Sequence, residues 1–168
     1  MIKQPFTVLM AEDNTADIMS AERAWKKYKI ANPLKIVKDG EECLDYLFQR
    51  GKYSKPDSAP QAGLLLLDLK MPDRSGLEVL HHLRESGHGS PVVMITGEPN
   101  LETATDAVRI GAFDYMSKPI RRDNILRVTN NAIQHKRLLD EKNRIEAEKE
   151  RYRQNLEAIF RSVGDAIV

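Results

Sequence analysis

Acidic residues stand where two short apolar runs break off. Glu12-Asp13 follows the run Thr7 to Ala11, and Asp68 follows Leu64-Leu65-Leu66-Leu67. A hydroxyl, Thr96, closes a third run that begins at Pro91, and an ammonium, Lys118, stands just past a fourth, Ala112 to Met116. Three carboxylates brought together repel one another at neutral pH and favour a hard divalent cation. Mg²⁺ suits oxygen ligands, keeps several waters and readily shares a phosphoryl group with carboxylates. A carboxylate beside such a cation can attack phosphorus, which makes Asp68 the candidate nucleophile. The cation and Lys118 would neutralise the charge that builds on the phosphoryl oxygens during transfer, and Thr96 would donate its hydroxyl to one of them. Pro119 restricts Lys118 to an extended or turn backbone and so helps to aim its side chain.

That chemistry requires the runs to be neighbouring strands with their ends on one rim. Thr7 to Ala11, Leu34 to Val37, Leu64 to Leu67, Pro91 to Thr96 and Ala112 to Met116 read as buried strands. The unbroken leucines before Asp68 are what a strand covered on both faces looks like, and parallel sheets produce such strands. Between the strands lie helical patterns over Ala16 to Tyr28, Glu41 to Arg50, Gly76 to Glu85 and Leu101 to Ile110, the last closed by Gly111. Gly51 to Gly63, with its prolines and serines, reads as a loop of above-average length. Five strands alternating with helices imply an α/β fold with a parallel sheet covered on both faces, and ligands gather at the carboxyl ends of such strands.

Glu12-Asp13, Asp68, Thr96 and Lys118-Pro119, together with Met71-Pro72, Ser75-Gly76 and Gly111-Ala112, resemble the receiver domain of two-component response regulators over about residues 5 to 120. The resemblance implies a flavodoxin-like, doubly wound sheet of five parallel strands in the order 2-1-3-4-5. It implies that Asp68 accepts a phosphoryl group from the phosphohistidine of a sensor histidine kinase or phosphotransfer protein. Mg²⁺ would be held by Glu12, Asp13, Asp68 and the backbone carbonyl of Lys70. Tyr115, three residues before Lys118, falls on the family's switch aromatic and would move with Thr96 on phosphorylation. Such a domain is not an enzyme acting on a metabolite; it catalyses only its own phosphorylation and dephosphorylation. Glu12 stands where many members have Asp, and its longer side chain can serve the same role.

Other readings of these residues fit less well. A haloacid-dehalogenase-type enzyme also uses a strand-end Asp and Mg²⁺, but needs a second Asp two residues on, where this chain has Lys70. A pseudo-receiver usually lacks the acceptor or the lysine, and both are present. A nucleotide-binding flavodoxin relative would need a phosphate-cradling loop where Glu12-Asp13 stands. His81, His82 and His88 read as surface residues, His135 lacks the neighbours of a kinase phosphoacceptor, and Cys43 reads as a small buried residue.

From Arg121 to about Ser162 the chain has no proline or glycine and is dense in helix formers, which predicts one long helix. Leu138, Ile145, Tyr152 and Ile159 recur every seven residues, with Lys142, Lys149, Leu156 and Val163 as companions. That seam, polar in the middle and apolar at its end, favours a parallel homodimer over a solvated single helix. The stretch to Val168 resembles the entry into a PAS sensor domain. The expected organisation is a receiver over 1–121, a helical linker over 122–162 and the start of a downstream domain over 163–168, the whole relaying a signal to an output domain.

A net charge of +1, slightly acidic up to residue 120 and slightly basic beyond, gives no global field toward nucleic acid or membrane. One cysteine excludes an intrachain disulfide. Without an apolar run long enough to span a bilayer, the expected location is the cytoplasm.

Overall fold

The computed structural model describes residues 6–165. The first strand, β1 (Thr7–Ala11), leads into helix α1 (Thr15–Lys27), whose N-cap Asn14 accepts from the amides of Ala16 and Asp17. Strand β2 (Leu34–Val37) is followed by α2 (Gly40–Leu47), and β3 (Ala62–Asp68) by α3 (Gly76–Glu85). A capping box closes the start of α3: the Ser75 hydroxyl accepts from the Glu78 amide, and the Glu78 carboxylate accepts from Ser75. Strand β4 (Val92–Thr96), helix α4 (Leu101–Ile110), strand β5 (Asp114–Ser117) and helix α5 (Arg122–Asp165) complete the order.

All strand pairs are parallel and the sheet runs β2-β1-β3-β4-β5, as the resemblance implied. The leucine run of β3 divides between two cores. Leu65 and Leu67 pack with Val79, Leu80 and Leu83 of α3, and with Cys43 and Leu44 of α2. Leu64 and Leu66 pack with Ala21 and Trp25 of α1, and with Ile125, Val128 and Ala132 of α5. Both sets of alternating positions are therefore buried, which explains why no polar residue interrupts the run. Burial pushes the Cys43 thiol up to about 12, in keeping with a packing role.

The boundaries depart from the sequence expectation in several places. Helix α2 stops at Leu47, three residues short of Arg50, because Gln49 and then Gly51 take left-handed backbone with φ of 52° and 56°. The expected loop from Gly51 to Gly63 is organised. It opens with a 3₁₀ turn (Gly51–Tyr53), buries Tyr53 and Ala59, and its Pro60 carbonyl accepts from the Tyr46 hydroxyl at 2.8 Å. Glu42 accepts from the Tyr53 hydroxyl at 2.9 Å and from the Lys52 ammonium, which ties the loop to α2. Strand β3 begins at Ala62, two residues early. Gly63 fits there because a Cβ would lie 2.4 Å from Cγ of the Phe6 ring. Strand β5 begins at Asp114, two residues late. His88 is half-buried rather than a surface residue, edge-on to Phe48.

One compact unit ends at Ile133 and a second begins at Gln134. The second is the helical remainder of α5 and is exposed almost throughout. It is laced with in-helix ion pairs such as Arg144–Glu141 and Arg153–Glu150. Helix runs through Val163, where a downstream domain was expected to begin, as far as Asp165; residues 166–168 of that expected segment lie outside the described residues. Among the described residues, no helix is long and apolar enough to cross a membrane.

Candidate phosphoryl-transfer site

Register brings the site together. Ala11 pairs with Leu67, so Glu12 and Asp68 leave adjacent strands side by side. Asp68 pairs with Ile95, which sets Thr96 one step beyond; Thr96 pairs with Ser117, which sets Lys118 one step further. The Lys118 amide donates to the Thr96 carbonyl at 2.7 Å, and the Lys118–Pro119 peptide is cis. Glu12, Asp13, Asp68, Lys70, Thr96 and Lys118 consequently line one cleft of about 380 Å³.

Carboxylate oxygens of Glu12, Asp13 and Asp68 lie within 4.8 Å of one another. Glu12 and Asp68 are buried and Asp13 is exposed. Lys118 Nζ approaches Glu12 Oε2 at 2.5 Å, Asp17 Oδ2 at 2.8 Å and Asp68 Oδ1 at 3.1 Å. Burial raises the Asp68 carboxyl above the ordinary range despite the opposing pull of Lys118 and of the Lys70 amide. Burial raises Glu12 likewise, against its bonds to Lys118 and the Asn14 amide. For Lys118 burial works downward, but hydrogen bonds to Asp17 and Glu12 and the charge of Asp68 outweigh it and hold the ammonium firmly protonated. Lys118 thus touches three acids, and a fourth, Asp13, lies beside two of them.

This donor set fits a hard divalent ion. Three carboxylate oxygens are already within reach of one centre, two of them on buried side chains. The excess negative charge of these acids is what such an ion would neutralise.

Three of the expected residues also make contacts of their own. The side chain of Lys70 reaches across to Glu98 Oε2 at 2.5 Å, and both are exposed. Thr96 is buried, and its Oγ1 accepts from the Glu98 amide at 3.1 Å. Tyr115 does not line the cleft; its hydroxyl lies 3.0 Å from Thr103 Oγ1 on α4. Sequence reasoning missed Asp17. It lies one helical turn past Asp13, and that spacing after the Asn14 cap was the available signal. It also missed Thr103, which no local pattern marks.

The loop after Asp68 is held on two sides. Gly76 approaches so closely that a Cβ would lie 2.3 Å from the Asp68 carbonyl oxygen, and its amide donates to Leu69 at 3.0 Å. Asp73 accepts from the amides of Gly40 and Glu41 at 3.0 and 2.9 Å, and so caps α2 from a loop 33 residues away. Burial works upward on this carboxyl, but these amides and those of Arg74 and Asp73 itself outweigh it and lower it below the ordinary range. A carboxyl lowered by folding stabilises above its unfolded value, and that contribution is lost as pH falls through the folded value. Asp73→Ala is therefore expected to cost about 1 kcal/mol at neutral pH. Urea melts at neutral and strongly acidic pH check this: the gap from wild type should close in acid.

The comparisons agree with this geometry. The family model described as "Response regulator receiver domain" matches residues 8–130. The regulatory protein LuxO of Vibrio cholerae is 29% identical over 163 residues, covering 94% of this chain and 33% of that protein. The chain thus spans about a third of the length of that relative. The signal receiver domain of a LuxO repressor protein from Vibrio parahaemolyticus superposes with a TM-score of 0.68 at 25% identity, over 81% of this chain and 95% of that one. The Mn²⁺-bound form of the response regulator Rcp1 gives 0.62 at 26%, over 76% and 91%. With the sheet order, the rim of acids and the matched residues all in agreement, the chain belongs to the response regulator receiver domain family and is a receiver domain of the two-component kind.

Proposed function

We propose that Asp68 is the phosphate acceptor, and that Glu12, Asp13, Asp68 and the Lys70 backbone carbonyl hold Mg²⁺. The observation that carries this reading is the meeting of three carboxylate oxygens within 4.8 Å, with Lys118 Nζ 3.1 Å from Asp68 Oδ1. A bound divalent cation would supply charge neutralisation at the phosphoryl oxygens. The chain's own residues do the rest. Asp68 Oδ forms the new P–O bond as the P–N bond to the donor imidazole breaks, and the electron pair leaves with the imidazole nitrogen. Lys118, held by Glu12 and Asp17, presents its ammonium to the transferred oxygens. Thr96 turns its hydroxyl to the attached group, and Tyr115 moves with it.

Hydrolysis of the acyl phosphate by the same site returns Asp68 to its starting state, so the domain has no other turnover. The donor is a cognate sensor histidine kinase or phosphotransfer protein in the cytoplasm. In this reading residues 1–121 are the receiver and 122–162 a helical linker that joins two copies and relays the signal. Residues 163–168 lead toward a PAS-like output region.

Acetyl phosphate offers a donor that needs no kinase. Intact-protein mass spectrometry should find one added phosphoryl group in the presence of Mg²⁺ and almost none after chelation. Equal adduct with and without the cation would contradict the ligand assignment.

A further inference from the structure

Lys118 has three acidic partners, and they are not equivalent. Glu12 and Asp68 also belong to the cluster whose oxygens lie within 4.8 Å of one another, the set that fits a divalent ion. Asp17 lines the same cleft but stands outside that cluster. Its Oδ2 accepts from Lys118 Nζ at 2.8 Å.

The surrounding chain sets the place of Asp17. It stands in the first turn of α1, where the helix N-terminus favours a negative charge. Its amide donates to Asn14 Oδ1 at 3.2 Å, and the amide of Asn14 donates to Glu12 Oε1 at 3.0 Å. One residue thus ties together two of the carboxylates that flank the ammonium.

Filling the cleft with a divalent ion would change what Lys118 can keep. The ion would draw on the oxygens of Glu12 and Asp68, and its charge repels the ammonium. Lys118 would then have one acid that it need not share, Asp17. Its side chain is only 13% exposed, so water cannot fully replace the contacts given up. Without Asp17 the ammonium would have to compete with the ion for Glu12 and Asp68, or leave the cleft.

We infer that Asp17 is a positioning residue, which takes Lys118 over from the metal-binding acids and keeps its ammonium in the cleft while the ion is bound. This rests on the reading that Glu12, Asp13 and Asp68 hold Mg²⁺. It adds a residue outside that set on which both the binding of the ion and the aim of Lys118 depend.

The test is Asp17→Asn in the full chain, which keeps the shape of the side chain and removes its charge. In the metal-free state Lys118 retains two other acids, so the melting temperature should stay within about 3 °C of wild type. With the ion bound the contact is unshared and worth more. Isothermal titration calorimetry should therefore show Mg²⁺ binding weakened by about fivefold. At saturating Mg²⁺, the rate of adduct formation from acetyl phosphate should fall by about tenfold, since the ammonium is no longer aimed.

Loss of a nearby negative charge could weaken Mg²⁺ binding without any help from Lys118. A double-mutant cycle separates the two causes. Lys118→Met keeps the space filled without the charge. In that background Asp17→Asn should change Mg²⁺ affinity by less than about twofold and leave the rate where it is. The same weakening in both backgrounds would make Asp17 a bystander charge and overturn the inference. So would unchanged affinity and rate in Asp17→Asn alone, or a metal-free melting temperature lowered by about 10 °C or more, which marks a structural role. In all three cases a wild type that binds Mg²⁺ leaves the metal reading standing; a wild type that binds none overturns both.

Discussion

Asp68→Asn is expected to leave the chain folded and unable to take a phosphoryl group, a loss of essentially all adduct in the acetyl phosphate reaction. The amide keeps the shape of the carboxylate and can still accept from the Lys70 amide, so the β3 end is not disturbed. It lacks the charged oxygen that attacks phosphorus. It also removes one of the crowded acids. Burial already disfavours the charged form of Asp68, so the apo variant should melt no lower than wild type. The two readouts separate chemistry from folding. Loss of adduct together with a large fall in melting temperature would point to a structural role instead, and a retained adduct would remove Asp68 as the acceptor.

Lys118→Ala should act on both. Its side chain is 13% exposed and its ammonium touches Glu12, Asp17 and Asp68, so truncation leaves buried carboxylates without their cation. Breaking such a buried pair costs roughly 3 kcal/mol, which for a domain of this size is a fall on the order of 10 °C. A divalent ion can replace part of that charge, so Mg²⁺ should raise the melting temperature of the variant more than that of wild type. The rate of phosphorylation should fall by on the order of a hundredfold even with Mg²⁺ saturating, because the ammonium aimed at the phosphoryl oxygens is gone. Thermal melts with and without Mg²⁺ and the adduct time course check both parts. A variant as stable and as reactive as wild type would take Lys118 out of the mechanism.

The strand ends were readable because burial on both faces of a parallel sheet writes itself as uninterrupted apolar runs. Leu64 to Leu67 announces both the strand and the point where Asp68 leaves it. Once the strands are neighbours, Glu12, Asp13, Thr96 and Lys118 follow from where their runs stop. Asp17 was not readable in the same way, since its role depends on the entry angle of α1, which Asn14 sets through two amides. Nor was the Asp73 cap on α2, because a contact across 33 residues of chain leaves no local pattern. The Gly51 to Gly63 segment looked like a loop because its order comes from Tyr46, Tyr53 and Glu42, residues that read as ordinary helix or turn positions until they meet. The Thr103–Tyr115 bond likewise joins a helix and a strand that the sequence places but does not orient.

Tandem mass spectrometry of the phosphorylated wild-type chain, after trapping the acyl phosphate by borohydride reduction, locates the attached group directly. The modification is expected at position 68 alone. A reduced residue at position 13 or 17, or a phosphoryl group retained on a histidine, would mean that the acids at this rim serve some other chemistry.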